Sequence, residues 1–270
     1  MKNNTFKTID TTDERFGKAV EKVAYAISRH TGQLFSANAV GDLKPLGSCV
    51  LIQIEELYYI CTAAHVLSDA KNLSPIYILT ADGMVQLLGK KITYPISNIN
   101  IVDIGYVQIA DSLIEVLKGT FKFLQMSSIT NTSQLTKNPC LMSFGFPEKS
   151  SKVVGNQLVP SANYFMHSLV SDKVFSYYKL QPDLHYALTH AGAGINIRTN
   201  SKESINGEPT GMSGCGLWYL RPSLCAKSGE LTMTYYLIGI MTAYRKGRYH
   251  MLISDKINAF MQAIAVDDKA

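Results

Sequence analysis

Three segments, far apart in the chain, each set one reactive side chain beside an apolar run, and their order limits what the chain can fold into. Thr62-Ala63-Ala64-His65 follows the stretch Leu57-Tyr58-Tyr59-Ile60. Asp103 stands inside Ile101-Val102-Asp103-Ile104-Gly105-Tyr106-Val107, and Gly211-Met212-Ser213-Gly214-Cys215-Gly216 comes last. Each segment alone is a weak signal. Glycine and serine fill ordinary turns, and a histidine after an apolar strand is commonly structural. An aspartate among aliphatics is rarer, because an ionised carboxylate is costly to bury without partners, but it too can serve as a cap or turn residue. The conjunction carries the information. The gap from 65 to 103 fits inside one small barrel, and the gap from 103 to 213 leaves room to build another.

A serine hydroxyl is a poor nucleophile near neutral pH, so it needs a base within hydrogen-bond reach and a group that orients that base. The order His, Asp, Ser is that of the chymotrypsin-like arrangement and differs from the orders found in subtilisins and α/β-hydrolases. On these segments the chain resembles a trypsin-like serine peptidase of the chymotrypsin fold, in a bacterial-type intracellular form. The resemblance runs over about residues 42 to 266 and implies a catalytic triad of His65, Asp103 and Ser213. Ser213 attacks the scissile carbonyl, His65 takes its proton and returns it to the leaving amine, and Asp103 fixes the imidazole tautomer. The backbone N–H groups of Gly211 and Ser213 match the family's oxyanion hole, where losing one donor costs roughly 2.7–4 kcal/mol. The rival α/β-hydrolase reading fails on the residues. Its nucleophile elbow requires Gly-x-Ser-x-Gly, whereas Cys215 occupies the fifth position. Only His250 follows Ser213, which would leave Glu230 as the acid in a span too short for that fold's remaining strands.

The expected fold class is all-β: two antiparallel six-stranded β-barrels with an added N-terminal helix and a C-terminal helix. Residues 1–41 form an N-terminal extension, 42–130 the barrel carrying His65 and Asp103, 131–253 the barrel carrying Ser213, and 254–270 a helix and tail. Thr11 with Glu14 is a capping-box pattern, and behind it Phe16, Val20, Val23, Ala24 and Ile27 recur at helical spacing. A helix over 12–31 is expected, with Gly32 as its stop and a docking, regulatory or lid role. Short strands are expected over Gly47–Gln53, Tyr58–Ala63, Pro75–Thr80, Val85–Leu88 and Ile104–Ile109, with Asp82-Gly83 as a hairpin turn. Residues 126–135 read as the connection, and Leu141-Met142-Ser143-Phe144-Gly145-Phe146-Pro147 opens the second barrel. Gly216–Leu220, Tyr236–Thr242 and Tyr249–Ile253 follow as strands. Ser254 then caps a closing helix in which Ile257, Phe260, Met261 and Ile264 share a face. His167, His185 and His190 lack metal-ligand spacing and read as incidental, so neither a metal nor a cofactor is expected.

With 46% hydrophobic and 17% charged residues in 270, disorder is excluded. No stretch approaches the ~20 consecutive apolar residues of a membrane span, and Met1-Lys2-Asn3-Asn4-Thr5-Phe6-Lys7 lacks the apolar core of a secretory signal. Five cysteines (Cys49, Cys61, Cys140, Cys215, Cys225) have no paired or metal-binding spacing and read as reduced, small apolar fillers. Secreted chymotrypsin-like enzymes usually carry a cysteine directly after the catalytic histidine; here it is Val66. A cytoplasmic location is expected. The net charge of +5 is mild, and the cluster Arg245-Lys246-Gly247-Arg248 reads as a solvated hairpin tip. No nucleic-acid signature and no membrane partner are expected.

The function expected is that of a serine endopeptidase acting through an acyl-enzyme on protein or peptide substrates, with specific protein partners. The alternative is a catalytically silent pseudopeptidase serving as a protein-binding module, and esterase action on small acyl groups would use the same machinery. By resemblance, Gly207 forms the floor of the substrate pocket with Glu208 beside it. Thr242-Ala243-Tyr244 forms a wall, Tyr244 standing where glycine is common. Met212 replaces the aspartate to which trimmed secreted relatives pair a new α-amino group. The chain is therefore expected to be competent as made, or gated by an activating protein partner.

Overall fold

The computed structural model describes residues 13–37, 42–69, 75–93, 102–130, 135–136, 138–154, 157–190, 192–204, 209–225, 228–246 and 251–267. Eight strands form the first sheet: β1 (Thr31–Ala37), β2 (Leu43–Ile54), β3 (Leu57–Ala63), β4 (Ile76–Thr80), β5 (Gly83–Gln86), β6 (Gly89–Thr93), β7 (Ile104–Ile109) and β8 (Leu124–Gln125). They run β5-β4-β1-β2-β3-β7-β6, with β8 joined to β2 in parallel. A second sheet, also of eight, contains β9 (Cys140–Gly145), β12 (Asn163–His167), β13 (His185–Thr189), β14 (Ala193–Asn196), β15 (Lys202–Ser204), β16 (Gly216–Leu224), β17 (Leu231–Arg245) and β18 (Met251–Lys256), in the order β13-β18-β17-β16-β9-β12-β14-β15. Between β9 and β12, β10 (Lys152–Val154) and β11 (Gln157–Val159) pair, among the described residues, with each other alone. Each sheet thus has eight strands where six were expected.

The strands read as continuous apolar runs because both of their faces are covered. Side chains alternate across a strand, and here the alternation divides them between different cores. Along β2, Val50 and Ile52 enter a core shared by the two sheets, while Cys49 and Leu51 enter a core inside the first sheet. Along β3, Tyr59 and Cys61 take the shared side, and Ile60 and Ala63 the inner one. In β16, Trp218 and Leu220 face the shared core, and Leu217 and Tyr219 a third core inside the second sheet.

Two helices complete the shared core. In α1 (Glu14–Ser28), Val20, Val23, Ala24 and Ile27 are buried at helical spacing, as the sequence implies. The helix packs on β17 and β9 and also touches β1. Its N-cap is Asp13, whose carboxylate accepts the Arg15 N–H at 2.8 Å; the proposed capping residue Thr11 lies outside the described residues. At the other end, α5 (Ile257–Asp267) inserts Ile257, Phe260 and Ile264. Ser254 does not cap it. That residue is a buried member of β18, opposite Tyr186 and Met241.

The main departure is β1. Residues 31–37 fell within the expected extension, yet they form a strand between β2 and β4. Gly32 is no helix stop: it lies in β1 opposite Cys49, and a Cβ there would stand 2.6 Å from Ile78 Cδ1, so a larger residue would have to displace the Ile78 side chain. Farther along, the stretch expected as Val85–Leu88 stays in strand only to Gln86, the end of β5, and Leu87 and an exposed Leu88 lie between β5 and β6. All five cysteines are free thiols, and burial pushes the Cys49 thiol up to about 12 and the Cys140 thiol up to about 11. Cys225 is exposed. No helix among the described residues is long and apolar enough to cross a membrane.

Candidate active site

His65 sits where β3 turns directly into α2 (Ala64–Asp69). The first N–H groups of a helix have no partner within it, and Asp103 supplies acceptors for two of them. Its carbonyl accepts from Ala64 N–H at 2.8 Å, and its Oδ1 accepts from His65 N–H at 3.0 Å. The other carboxylate oxygen, Oδ2, lies 2.5 Å from His65 Nδ1. Asp103 is therefore the helix cap and the imidazole's partner at once, and the mundane and the chemical readings of this residue coincide. Gly105 makes the approach possible: a Cβ there would stand 3.0 Å from the Ala64 Cα and 2.9 Å from Leu67 Cδ1. Both side chains stay partly open to solvent, His65 at 37% and Asp103 at 34%.

The loop with Ser213 comes from the second sheet and docks on the first. The Ser48 N–H donates to the Ser213 carbonyl at 2.8 Å. A Cβ on Gly47 would lie 2.7 Å from that carbonyl and 2.9 Å from Val66 Cγ2, so Ser213 and the residue following His65 flank one point. Gly211 and Gly214 both adopt φ +86°, a left-handed conformation that glycine enters at little cost. Volume excludes other residues as well. A Cβ on Gly214 would be 1.9 Å from Thr62 Oγ1 and 2.1 Å from the Ser48 carbonyl, and one on Gly211 would be 2.5 Å from the Phe146 carbonyl.

The peptide between Gly211 and Met212 is fixed at both ends. Its carbonyl accepts from the Ser48 hydroxyl at 2.8 Å, and its N–H donates to Pro209 O at 3.2 Å. Ser48 in turn accepts the Phe146 N–H at 3.0 Å. Gly214 N–H donates to Met241 O at 2.7 Å. Among the described residues, neither the Gly211 nor the Ser213 N–H meets a backbone acceptor. Met212 is buried among Leu141, Phe165, Cys215 and Leu217, so an apolar contact anchors the loop.

The expected pocket residues fare unevenly. Gly207 and Glu208 lie outside the described residues. Thr242 is buried, and its hydroxyl donates to the Asp255 carboxylate behind Asp103 instead of facing a pocket. The Tyr244 ring meets His190 edge-on at 5.2 Å. A narrow cleft behind Met212 is lined by Ser143, Phe165, His190, Pro209, Met241 and Leu252. Beside it, Ser143 Oγ lies 2.7 Å from His167 Nε2, and burial pulls the His167 imidazole down to about 4. Two contacts escaped the sequence reading. Ser48 was visible in Gly47-Ser48-Cys49, a polar residue within an apolar strand. Asp255 was a lone acid ending Leu252-Ile253-Ser254.

No protein-family model matches this sequence, and no curated protein sequence matches it either. Among solved structures, 241 chains match. One is a thermostable serine protease, AL20, from an extremophilic microorganism, with a TM-score of 0.50 and 11% identity over 87% of this chain and 94% of that one. Two mainly antiparallel eight-stranded sheets, a helix at each end and this likeness over most of both chains make the fold a chymotrypsin-like double barrel.

Proposed function

We propose that the chain is a serine endopeptidase in which His65, Asp103 and Ser213 form the catalytic triad. The observation that carries this reading is the Asp103 carboxylate, which binds His65 Nδ1 at 2.5 Å and the His65 backbone at 3.0 Å beside the Gly211–Gly214 loop. With Nδ1 held by Asp103, the imidazole offers Nε2 as the base. Ser213 Oγ attacks the carbonyl carbon of the peptide bond and its proton passes to Nε2. The C–N bond breaks as that proton moves to the leaving amine. Water, deprotonated by the same nitrogen, then hydrolyses the acyl ester and restores Ser213. The negative oxygen of each tetrahedral intermediate meets the N–H groups of Gly211 and Ser213, neither of which donates to a backbone acceptor among the described residues. The buried Met212 and the Ser48 hydrogen bond support a hole formed at rest. Substrates are proteins or peptides, and no cofactor takes part.

A serine-directed fluorophosphonate probe tests the assignment without knowledge of the natural substrate. Wild-type protein should be labelled at Ser213, and His65→Ala should abolish labelling while the protein stays folded. An unlabelled but folded wild type would refute the reading and favour a pseudopeptidase that only binds.

A further inference from the structure

Behind Asp103 lies a second carboxylate for which the proposed chemistry has no use. Asp255, in β18, has a side chain only 3% exposed. Its Oδ2 accepts the backbone N–H of Asp103. Its Oδ1 stands 3.5 Å from Nε2 of His185, itself buried on the neighbouring strand β13. The Thr242 hydroxyl, from β17, donates to the same carboxylate, and His65 on α2 acts on it through space. Lys256, the next residue, points away and lies over the Tyr186 ring. The titratable groups facing Asp255 are thus Asp103, His65 and His185. A buried carboxylate is costly unless its hydrogen bonds are met, and here one of those bonds reaches the backbone of the residue that orients the base.

We propose that Asp255 is a positioning residue for Asp103, fixing its backbone from the second sheet and, when ionised, adding a second negative charge behind His65. The proposal rests on the peptidase reading for its chemical meaning, but not for its test. Burial pushes the Asp255 carboxyl up to about 7, and repulsion from Asp103 adds to the rise against the hydrogen bonds from Asp103 N–H and Thr242. The folded protein therefore holds this proton more tightly than the unfolded chain. The resulting contribution to stability is complete below the ordinary value of 3.8 and is lost as pH rises through about 7.

Asp255→Asn decides the matter, since its amide oxygen still accepts the Asp103 N–H but cannot ionise. An NMR titration of the His65 ring should show it losing its proton at lower pH in the variant, by about half a pH unit or more, because one attractive charge is gone. The melting temperature of the variant relative to wild type should climb between pH 4 and 7 and level off above. Asp255→Leu, which removes the acceptor too, should cut the rate of fluorophosphonate labelling tenfold or more; if it fails to fold, the Asn variant alone decides. Identical His65 titrations in wild type and Asp255→Asn would overturn the proposal whatever the labelling shows. Absent labelling with a shifted titration would sink the peptidase reading and leave the positioning role standing.

Discussion

The two halves of the proposed site are held by different physics. On the first sheet, His65 and Asp103 are fixed by side-chain hydrogen bonds and charge, in a setting a third open to solvent. On the second sheet, the Ser213 loop is fixed by shape: two left-handed glycines, a buried methionine and a carbonyl pinned by Ser48. The first half should accordingly answer to pH and charge, and the second to the volume of a single methyl group.

The largest effects should separate the halves through activity against stability. Ser213→Ala, His65→Ala and Asp103→Ala should each lower turnover by roughly 10⁴–10⁶-fold, and a double variant should lose little more, because the triad acts as a unit. Thermal melting should shift least for Ser213→Ala and most for Asp103→Ala, which also uncaps α2; capping losses run about 0.5–2 kcal/mol. Turnover near wild type in Ser213→Ala would break the assignment. Gly214→Ala should do the reverse and injure the fold first. Forcing a side chain into the left-handed region costs about 1–3 kcal/mol, and the added methyl would also strike Thr62 and the Ser48 carbonyl. A variant that melts like wild type would show that the loop is softer than its packing implies.

Ser48→Ala sharpens the comparison, because it removes the side-chain hydrogen bond that pins the Gly211 carbonyl. Loss of a buried partner costs about 1–3 kcal/mol. If that loss falls on the hole, turnover should drop roughly 10–100-fold with little change in KM, and steady-state kinetics on an ester substrate would read it directly. A change in KM alone would move Ser48 from the hole to the substrate. The smallest effect concerns preference. Met212, Met241 and the Tyr244–His190 pair crowd the space beside the loop, so peptide profiling should find large aromatic side chains disfavoured just before the cut bond. A preference for Phe or Tyr there would contradict this.

The strands and the order of the three reactive residues were legible because each leaves a local trace: apolar runs for strands buried on both faces, glycines where the chain must turn left-handed. β1 was illegible for the opposite reason. Thr31 and Gln33 are polar yet buried, and the Gln33 side chain hydrogen-bonds Ser151, far along the chain. Nothing near position 33 announces that partner, and Gly32 follows a helix closely enough to pass for its end. Asp255 was hidden likewise. Its partner Asp103 lies 152 positions earlier, so its role exists only once the two sheets meet. The cap at Ser254 was mistaken because the polar Ser254-Asp255-Lys256 imitates a helix start while continuing the ladder of β18.

The core shared by the two sheets has a consequence for how the molecule comes apart. Val50, Tyr59 and Tyr106 from one sheet, Trp218 and Leu237 from the other, Ile27 from α1 and Phe260 from α5 occupy a single apolar cluster. Opening the cleft between the barrels would expose that cluster, so local breathing at the site is expected to be coupled to global unfolding, with the two halves melting together. Amide hydrogens on β3 and β17 should then exchange with solvent at one common rate set by whole-molecule opening. The first and last helices close this seam from opposite ends of the chain. A variant without α5 would leave this seam unsealed, because Ile257, Phe260 and Ile264 would be missing from the core that the two sheets share.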